Sequence, residues 1–153
     1  MQDQEFENQM ERFYHLWYDI RQQYSSWARK QGTTYNVITT IRTIFKEQGL
    51  CTQKLICERQ CLPKQTVNTI LKDFEEKGYV TFTESKEDKR NKLISLTDIG
   101  FAYAKEITEA LYQKDFEVAE RMGFDHMEDL IENLSLYARL YRETEENGEE
   151  TKE

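Results

Sequence analysis

The sequence predicts a mainly α chain that carries one small β-hairpin. Apolar residues recur at steps of three and four over most of the 153 residues, which is the spacing of one face of an α-helix. The chain has one proline and six glycines, so helix-breaking residues are scarce. Two short alternating segments, YVTFTE at 79–84 and KLISLT at 92–97, flank the polar loop SKEDKRN, and this pattern is typical of a hairpin.

Three helices are expected in the first part of the chain. The first covers 5–30, where large apolar residues form one stripe. The second lies within 32–49 and ends at Gly49, and its buried stripe is expected to contain Ile38, Ile41 and Phe45. Thr52 is positioned to cap a short third helix over 53–61.

A fourth helix is expected to begin near Pro63, whose fixed φ suits a first turn, and to end at Gly78. Its inner face has apolar residues at helical spacing: Val67, Ile70, Leu71 and Phe74. Its outer face has only hydrogen-bonding residues, none of them acidic: Lys64, Gln65, Thr66, Asn68, Thr69 and Lys72. The predicted hairpin follows this helix directly.

Two long helices are expected after the hairpin. Thr97 is a good cap for the first, which covers 98–122, and Gly123 ends it. Asp125 and Glu128 have the spacing of a capping box for the second. The apolar stripe of that last helix contains Met127, Leu130, Ile131, Leu134, Tyr137 and Tyr141.

Length and composition restrict the class of protein. The chain is long enough for one ordinary domain, and we expect a single domain over 1–153. Its first residues are charged and no run of 18 apolar residues occurs, so neither a secretory signal nor a membrane span is expected. Three cysteines, an odd number, argue against a disulfide framework. These features indicate a soluble, cytoplasmic protein without a membrane partner.

The formal net charge of −8 is unevenly distributed. Residues 1–49 carry no net charge, residues 50–97 carry +2, and residues 98–153 carry −10. The acidity is therefore concentrated in the last third of the chain, whose end, ETEENGEETKE, is typical of a solvated tail. The middle third is free to carry a basic surface.

Two short helices followed by a hairpin form a winged helix-turn-helix, here accompanied by long helices at both ends of the chain. An α-helix fits the major groove of DNA, where each base pair displays a distinct pattern of donors and acceptors. We therefore expect the outer face of the fourth helix to contact double-stranded DNA. The hairpin is expected to reach the adjacent backbone or minor groove through Lys89, Arg90 and Lys92, and Asp88 to orient the Arg90 guanidinium through an ion pair.

The stretch EDKRNKLISLTDIG resembles the wing signature of the MarR (multiple antibiotic resistance regulator) family. That signature has an aspartate, one residue, an arginine and a second wing strand that ends Leu-Thr-x-x-Gly, and the matching residues are Asp88, Arg90, Leu96, Thr97 and Gly100. LPKQTVNTILKDFEEKGYV resembles the recognition helix of the family and the turn into its wing. The order of helices matches over roughly residues 5–143. Pro63 departs from the pattern, because many members place a serine or threonine cap there, so the helix is expected without that cap hydrogen bond.

The resemblance implies a single MarR-like domain that forms a homodimer and acts as a ligand-responsive repressor on a palindromic operator. It implies dimerisation helices at 5–32 and 101–143, a winged lobe at 34–100 and an acidic tail at 144–153. The apolar stripes of the terminal helices agree with dimerisation. A two-fold dimer predicts half-sites about one helical turn, roughly 10 base pairs, apart.

The resemblance also implies a cleft for a small aromatic or lipophilic effector between the dimer helices and the winged lobe. Most aromatic residues of the first helix have the spacing of one stripe, which favours a role in the dimer core. Tyr14, Tyr18 and Arg21 lie off that stripe and are the candidates for ligand binding.

The cysteines allow two interpretations. Cys57 and Cys61 are four residues apart on one predicted helix, a spacing suited to metal binding or redox chemistry, but free cysteine is usually a small buried apolar residue. Some relatives sense oxidants through a cysteine in the N-terminal helix, whereas no cysteine precedes Cys51 here. His15 and His126 are isolated, so we expect neither a metal site nor a cofactor.

A protein-interaction module that uses the wing to hold a partner protein, without specific DNA binding, is the alternative function. The acidic total charge favours it, whereas the acid-free outer face of the fourth helix favours DNA. The salt dependence of duplex binding discriminates the two, because phosphate contacts release counterions. No Gly-rich phosphate loop, metal cluster or nucleophile-base pair is recognisable in the sequence, so an enzyme is not expected.

Overall fold

The computed structural model describes residues 2–47, 49–84 and 92–150. Its elements, in chain order, are α1 (Gln2–Lys30), α2 (Tyr35–Glu47), β1 (Cys51–Thr52), α3 (Gln53–Gln60), α4 (Lys64–Glu76), β2 (Val80–Glu84), β3 (Lys92–Leu96), α5 (Asp98–Met122) and α6 (Phe124–Glu150). The mainly helical architecture with a small sheet confirms the predicted fold class. None of the described helices combines the length and apolar content that crossing a membrane requires. The chain divides after Thr108 into two compact units.

The core of the first unit is built from α2, α3, α4 and the sheet. Its almost fully buried apolar side chains include Ile38, Ile41, Ile44, Cys51, Ile56, Val67, Phe74 and Ile94. Burying such a side chain stabilises a fold by about 1.5–3 kcal/mol. The predicted inner face of α4 is confirmed. Phe45 was expected to join Ile38 and Ile41 in the core, but it is not one of the buried residues of α2. Ile44 takes that place, and half-buried Phe45 packs instead against Phe101, with ring centroids 5.1 Å apart.

The sheet has three antiparallel strands in the order β1-β3-β2, so β3 is central. The hairpin of β2 and β3 was predicted from the sequence, whereas β1 was not, because two residues are too short to display an alternating pattern. Cys51 of β1 pairs with Ile94 of β3, and Glu84 of β2 pairs with Lys92 at the distal end of the hairpin. The extra strand therefore joins the start of α3 to the wing.

Thr97 joins α4, the wing and α5. Its hydroxyl donates to the Gly78 carbonyl oxygen at 2.6 Å and accepts the Gly100 N–H at 3.0 Å, which confirms it as the cap of α5. Its backbone N–H donates to the Tyr79 carbonyl oxygen at 3.0 Å. Gly100 packs directly on this backbone, since a Cβ at Gly100 would lie 1.9 Å from the Tyr79 oxygen. Only a residue without a side chain fits at this crossing.

The ends of α3 and α4 follow local chemistry. The Thr52 hydroxyl accepts the Leu55 N–H at 3.1 Å, which confirms the predicted cap of α3. Pro63 precedes α4 as its N-cap, with φ −57° and ψ 142°, instead of occupying the first turn. As expected, Pro63 contributes no side-chain cap hydrogen bond, and the helix forms without one.

The second unit contains the end of α5 and all of α6. The predicted capping box at Asp125 and Glu128 is wrong, because α6 begins at Phe124 and Asp125 already lies in its first turn. Gly123 adopts φ +96° and follows Met122, the last residue of α5. Its carbonyl oxygen accepts the Met127 N–H. The ring of Phe116 lies against that of Phe124, with centroids 5.7 Å apart.

The last helix is longer than the sequence indicated. α6 continues through Glu150, beyond residue 144 where the acidic tail was expected to begin. Glutamate has a high intrinsic helix propensity, so an acidic composition without proline does not end a helix. The acidity of this segment is therefore carried on a helical backbone.

Gly100→Ala is expected to destabilise the protein by about 1–3 kcal/mol, because the added methyl group forces the Tyr79 backbone away from α5. Urea unfolding at one fixed protein concentration measures the change. Ala102→Ser, at an exposed position of the same helix, is the control and should stay within about 0.5 kcal/mol of wild type. An unchanged midpoint for Gly100→Ala would contradict the close approach of α5 to Tyr79.

Candidate nucleic-acid interface

Helix α4 presents the residues that the sequence selected for DNA contact. Its buried stripe anchors one face on the core, and Gly78, at φ +69°, ends the helix before the wing. Away from that stripe, Lys64, Gln65, Asn68, Thr69 and Lys72 are exposed, while Thr66 is half-buried. The arrangement of these six residues around the helix divides them into two groups.

The first group borders a groove between α3, α4 and the wing, which we call the wing-side groove. Its volume is about 800 Å³. Lys64, Asn68 and Lys72 follow one another at four-residue steps along its α4 side, Lys54 comes from α3, and Lys92 comes from β3. Apolar side chains form part of its lining, namely Leu71, Phe82 and Ile94. Four lysines on three elements thus surround one concave surface.

The second group borders a shallower depression beside the start of α2, which we call the helix-side depression. Its volume is about 510 Å³, and its lining consists of Thr34, Asn36, Pro63, Gln65, Thr66, Thr69 and Ile70. The Thr34 hydroxyl accepts the Val37 N–H at 3.4 Å, so the N-terminus of α2 lies at this depression. The N-terminus of α4 lies here too, after Pro63. The two surfaces differ in charge, because the wing-side groove is lined by lysines from several elements and the lining of the helix-side depression contains none.

Several lining residues were missed by the sequence analysis. These residues are Gln53 and Lys54 of α3, Asn36 of α2 and Thr34 just before α2. No sequence pattern distinguishes them, since each is one polar residue in or beside a partly polar helix. Glu75 also lines the wing-side groove, so the acid-free face of α4 ends after Lys72. A longer helical projection, carried past residue 72, would have placed Glu75 on the same stripe.

Two lysines of the wing-side groove, Lys54 and Lys72, form only weak ion pairs. Lys72 lies 3.9 Å from Glu76 and Lys54 lies 3.7 Å from Glu58, and all four side chains are more than half exposed. Exposed pairs of this kind contribute about 0–1 kcal/mol. Their ammonium groups are therefore available for a stronger anionic partner.

A polar network holds α2 against α3. Thr39 and Thr40 donate their hydroxyls to Gln60 Oε1 at 2.8 and 3.3 Å, and Gln60 Nε2 donates to the Thr43 hydroxyl at 3.0 Å. Thr40 is fully buried, and hydrogen bonds shielded from water specify one packing arrangement because leaving them unmade is costly. The network therefore fixes the position of the end of α3, and of the turn into α4, relative to α2.

The tip of the wing lies outside the described residues. Asp88, Lys89 and Arg90 belong to that tip, so their predicted roles remain predictions. Lys92 is the first residue of β3, is exposed and borders the wing-side groove, and its predicted contact with DNA stays a prediction.

The ligand candidates on α1 are exposed. Tyr14 and Tyr18 have 45% and 61% of their surface accessible, and Arg21 is exposed as well. None of the three lines the wing-side groove or the helix-side depression. The structure places them along one helix without enclosing them.

The cysteines occupy three different environments. Cys51 is fully buried, whereas Cys57 is half-buried and borders the wing-side groove. Cys61 is exposed at the C-cap of α3 with φ +50°, so the expectation that it is a small buried residue within a helix is wrong. Burial, followed by the nearby Glu47 carboxylate, raises the pKa of the Cys51 thiol to about 12.

Comparison with known proteins gives one family. Residues 31–91 match the model of the MarR family. The HTH-type transcriptional regulator SarZ of Staphylococcus aureus (strain USA300) is 31% identical over 118 residues, which cover 76% of this chain and 76% of that protein. NMB1585, a MarR family regulator from Neisseria meningitidis, has a similar structure, with a TM-score of 0.76 and 30% identity over 89% of this chain and 95% of that chain.

A more distant similarity concerns a structure that was solved with DNA. The MepR–DNA complex of S. aureus aligns with a TM-score of 0.69 over 84% of this chain and 94% of that chain. Its sequence identity is 18%, so this similarity shows a common fold.

The three thiols should react at different rates in the native protein. Because the pKa of Cys51 is about 12, its thiol stays protonated near neutral pH, and burial also blocks access. Brief treatment with iodoacetamide, followed by peptide mass spectrometry, should show Cys61 labelled first and Cys51 last. Denatured protein is the control and should label all three. Labelling of native Cys51 as fast as Cys61 would contradict this environment.

Proposed function

The chain belongs to the MarR family and is therefore a transcriptional regulator rather than an enzyme, and we propose that it binds double-stranded DNA through α4 and the wing-side groove. The observation that carries this proposal is the convergence of Lys54, Lys64, Lys72 and Lys92 on one groove beside the outer face of α4. Clustered lysines attract the phosphate backbone, and a polar helix face suits base edges in the major groove. The lysines attract phosphates locally even though the whole chain has a net charge of −8.

The helix-side depression supports a second set of backbone contacts. The N-termini of α2 and α4 both border it, and helix N-termini favour anions through their free N–H groups and the helix dipole. Pro63 supplies no side-chain acceptor to the first turn of α4, so those N–H groups remain available to a phosphate oxygen. With a DNA strand on each side, α4 is held in the major groove.

The wing supplies contacts beyond the major groove. We assign Lys89 and Arg90 to the adjacent backbone or minor groove, where the negative potential favours arginine. Asp88 orients the Arg90 guanidinium, and Lys92 connects this contact to the wing-side groove. Each of these side chains positions the protein on the duplex, and α4 provides sequence recognition.

The proposed assembly is a homodimer formed through 5–32 and 101–143. In the single chain, large apolar side chains along one side of α6 are 40–57% exposed, namely Phe124, Leu130, Ile131, Leu134, Tyr137 and Tyr141. On α1, Phe6, Leu16, Trp17 and Ile20 are 49–61% exposed. A soluble monomer rarely leaves so many large apolar groups in water, and a second copy removes them from it.

Regulation in this proposal is repression relieved by a ligand. The dimer occupies a palindromic operator in the cytoplasm and excludes transcription from the promoter. A small aromatic or lipophilic effector contacts Tyr14, Tyr18 and Arg21 on the exposed side of α1 and alters the spacing of the two α4 helices. The support for these three residues is their exposure as aromatic and cationic groups on a helix assigned to dimerisation.

Lys64→Ala and Arg90→Ala should each weaken binding to operator and random duplexes alike, and lower the slope of log affinity against log salt by about one for each phosphate that is no longer neutralised. Fluorescence anisotropy at several salt concentrations measures both quantities. Lys46→Ala is the matched control, because this exposed lysine is at the opposite end of α2 from the helix-side depression. If none of these proteins binds duplex DNA in a salt-dependent way, the interaction-module alternative replaces this proposal.

Leu134→Asp should convert the dimer to a monomer, because it places a charge in the centre of the exposed apolar stripe of α6. Sedimentation velocity at micromolar concentration measures the mass, for which the monomer value is 18.4 kDa. Leu136→Asp makes the same chemical change about 160° around the helix and should leave the dimer intact. A stable wild-type monomer would refute the proposed assembly.

A further inference from the structure

Gln65 lies on the side of α4 that points away from the protein core. At 100° per residue, it is about 170° from the centre of the buried stripe formed by Val67, Ile70, Leu71 and Phe74. Thr69, one turn later, is about 150° from that centre, and both side chains are exposed. When α4 enters a major groove, these two side chains are therefore among those that point at the base edges.

The Gln65 side chain is free to recognise a base. Within the residues that the structure describes, its amide takes part in no hydrogen bond. It also lies in the first turn of α4, and the N-terminal residues of recognition helices are those that contact base edges. A glutamine amide forms a bidentate pair with adenine, donating to N7 and accepting from the N6 amino group.

The chemistry of Thr69 is restricted by its own backbone. Its hydroxyl donates to the Gln65 carbonyl oxygen at 3.0 Å, so its only proton is already used. Its oxygen can still accept a hydrogen bond but cannot donate one, and its methyl group is free to make apolar contacts at a base edge. In the major groove, thymine is the base that carries a methyl group at C5, and threonine methyl groups pack against it.

Asn68 has a different environment, although it also carries an amide. It borders the wing-side groove in line with Lys64 and Lys72 and opposite Lys92, which is the part of the surface suited to phosphates. The far end of α4 is acidic, with Asp73, Glu75 and Glu76, and this end is repelled by the DNA backbone. The N-terminal half of α4, which contains Gln65, is thus the half that enters the groove.

We propose that each operator half-site contains an adenine recognised by Gln65 and, within two base pairs of it, a thymine whose methyl group contacts Thr69. The proposal rests on the proposed function, since it assigns base chemistry to the same interface. Gln65 and Thr69 are one helical turn apart, a rise of about 5.4 Å. Since successive base pairs are about 3.4 Å apart, the two bases lie within two base pairs of each other.

The experiment begins with selection of duplexes from a random pool by the wild-type protein. In the selected operator, each adenine of one half-site is then replaced by 7-deazaadenine, which lacks the N7 acceptor, and each thymine by deoxyuridine, which lacks the C5 methyl. Wild-type affinity should fall at least about fivefold at one adenine, the lower limit for breaking a bidentate pair. It should fall about fourfold at one thymine, as expected for one buried methyl group.

Variants assign each effect to its residue. Gln65→Ala should bind more weakly and become insensitive to 7-deazaadenine, whereas Asn68→Ala, the matched amide control, should keep the full sensitivity. Thr69→Ser keeps the hydroxyl and removes the methyl, so it should become insensitive to deoxyuridine. Circular dichroism confirms that each variant retains the helical content of wild type.

Two kinds of failure are distinguishable. If the wild type selects no duplex, the proposed function fails and this inference fails with it. If the wild type binds its operator but the half-sites lack A·T pairs, the assignments of Gln65 and Thr69 are both overturned while the proposed function stands. If Gln65→Ala remains sensitive to 7-deazaadenine, only the assignment of Gln65 is overturned. Persistent deoxyuridine sensitivity in Thr69→Ser would overturn the assignment of Thr69 in the same way.

Discussion

The arrangement of the candidate interface depends on the crossing at Thr97. The Thr97 hydroxyl accepts the Gly100 N–H in the first turn of α5 at 3.0 Å and donates to the Gly78 carbonyl oxygen, in the turn after α4, at 2.6 Å. Gly100 permits the close approach, because any side chain would overlap the Tyr79 backbone. Helix α4, the wing and the long helix α5 therefore meet through backbone contacts that tolerate little displacement.

The charge of the interface is a matter of position, not of composition. The chain carries −8 overall, yet four lysines from α3, α4 and β3 surround one groove. Acidic residues return at the end of α4, where Glu75 reaches the rim of the same groove. This gradient favours one orientation of α4 on DNA, because phosphates are attracted to its lysine-bearing end and repelled by its acidic end.

Two kinds of buried contact support this surface. Apolar packing of α2, α4 and the sheet supplies most of the stabilisation, while the Gln60 network gives α2 and α3 a specific relative orientation. The long helices show the opposite situation, because their large apolar side chains remain exposed in the single chain. Helices α2, α3, α4 and the sheet thus complete a core within one chain, whereas the apolar stripes of α1 and α6 are only partly covered.

The sequence by itself determined the helices, the hairpin, the inner and outer faces of α4 and the cap at Thr97, because each depends on periodicity or on one local hydrogen bond. Tertiary structure alone decided that β1 joins the sheet and that Ile44 rather than Phe45 is buried. It also decided that the outer face of α4 divides between two surfaces. These outcomes depend on contacts between distant segments, such as Cys51 with Ile94 and Phe45 with Phe101, which leave no periodic trace in the chain. The boundary at Gly123 was predicted, but the start of α6 was misplaced, because the helix begins at Phe124, directly after the left-handed glycine, and not after a cap at Asp125.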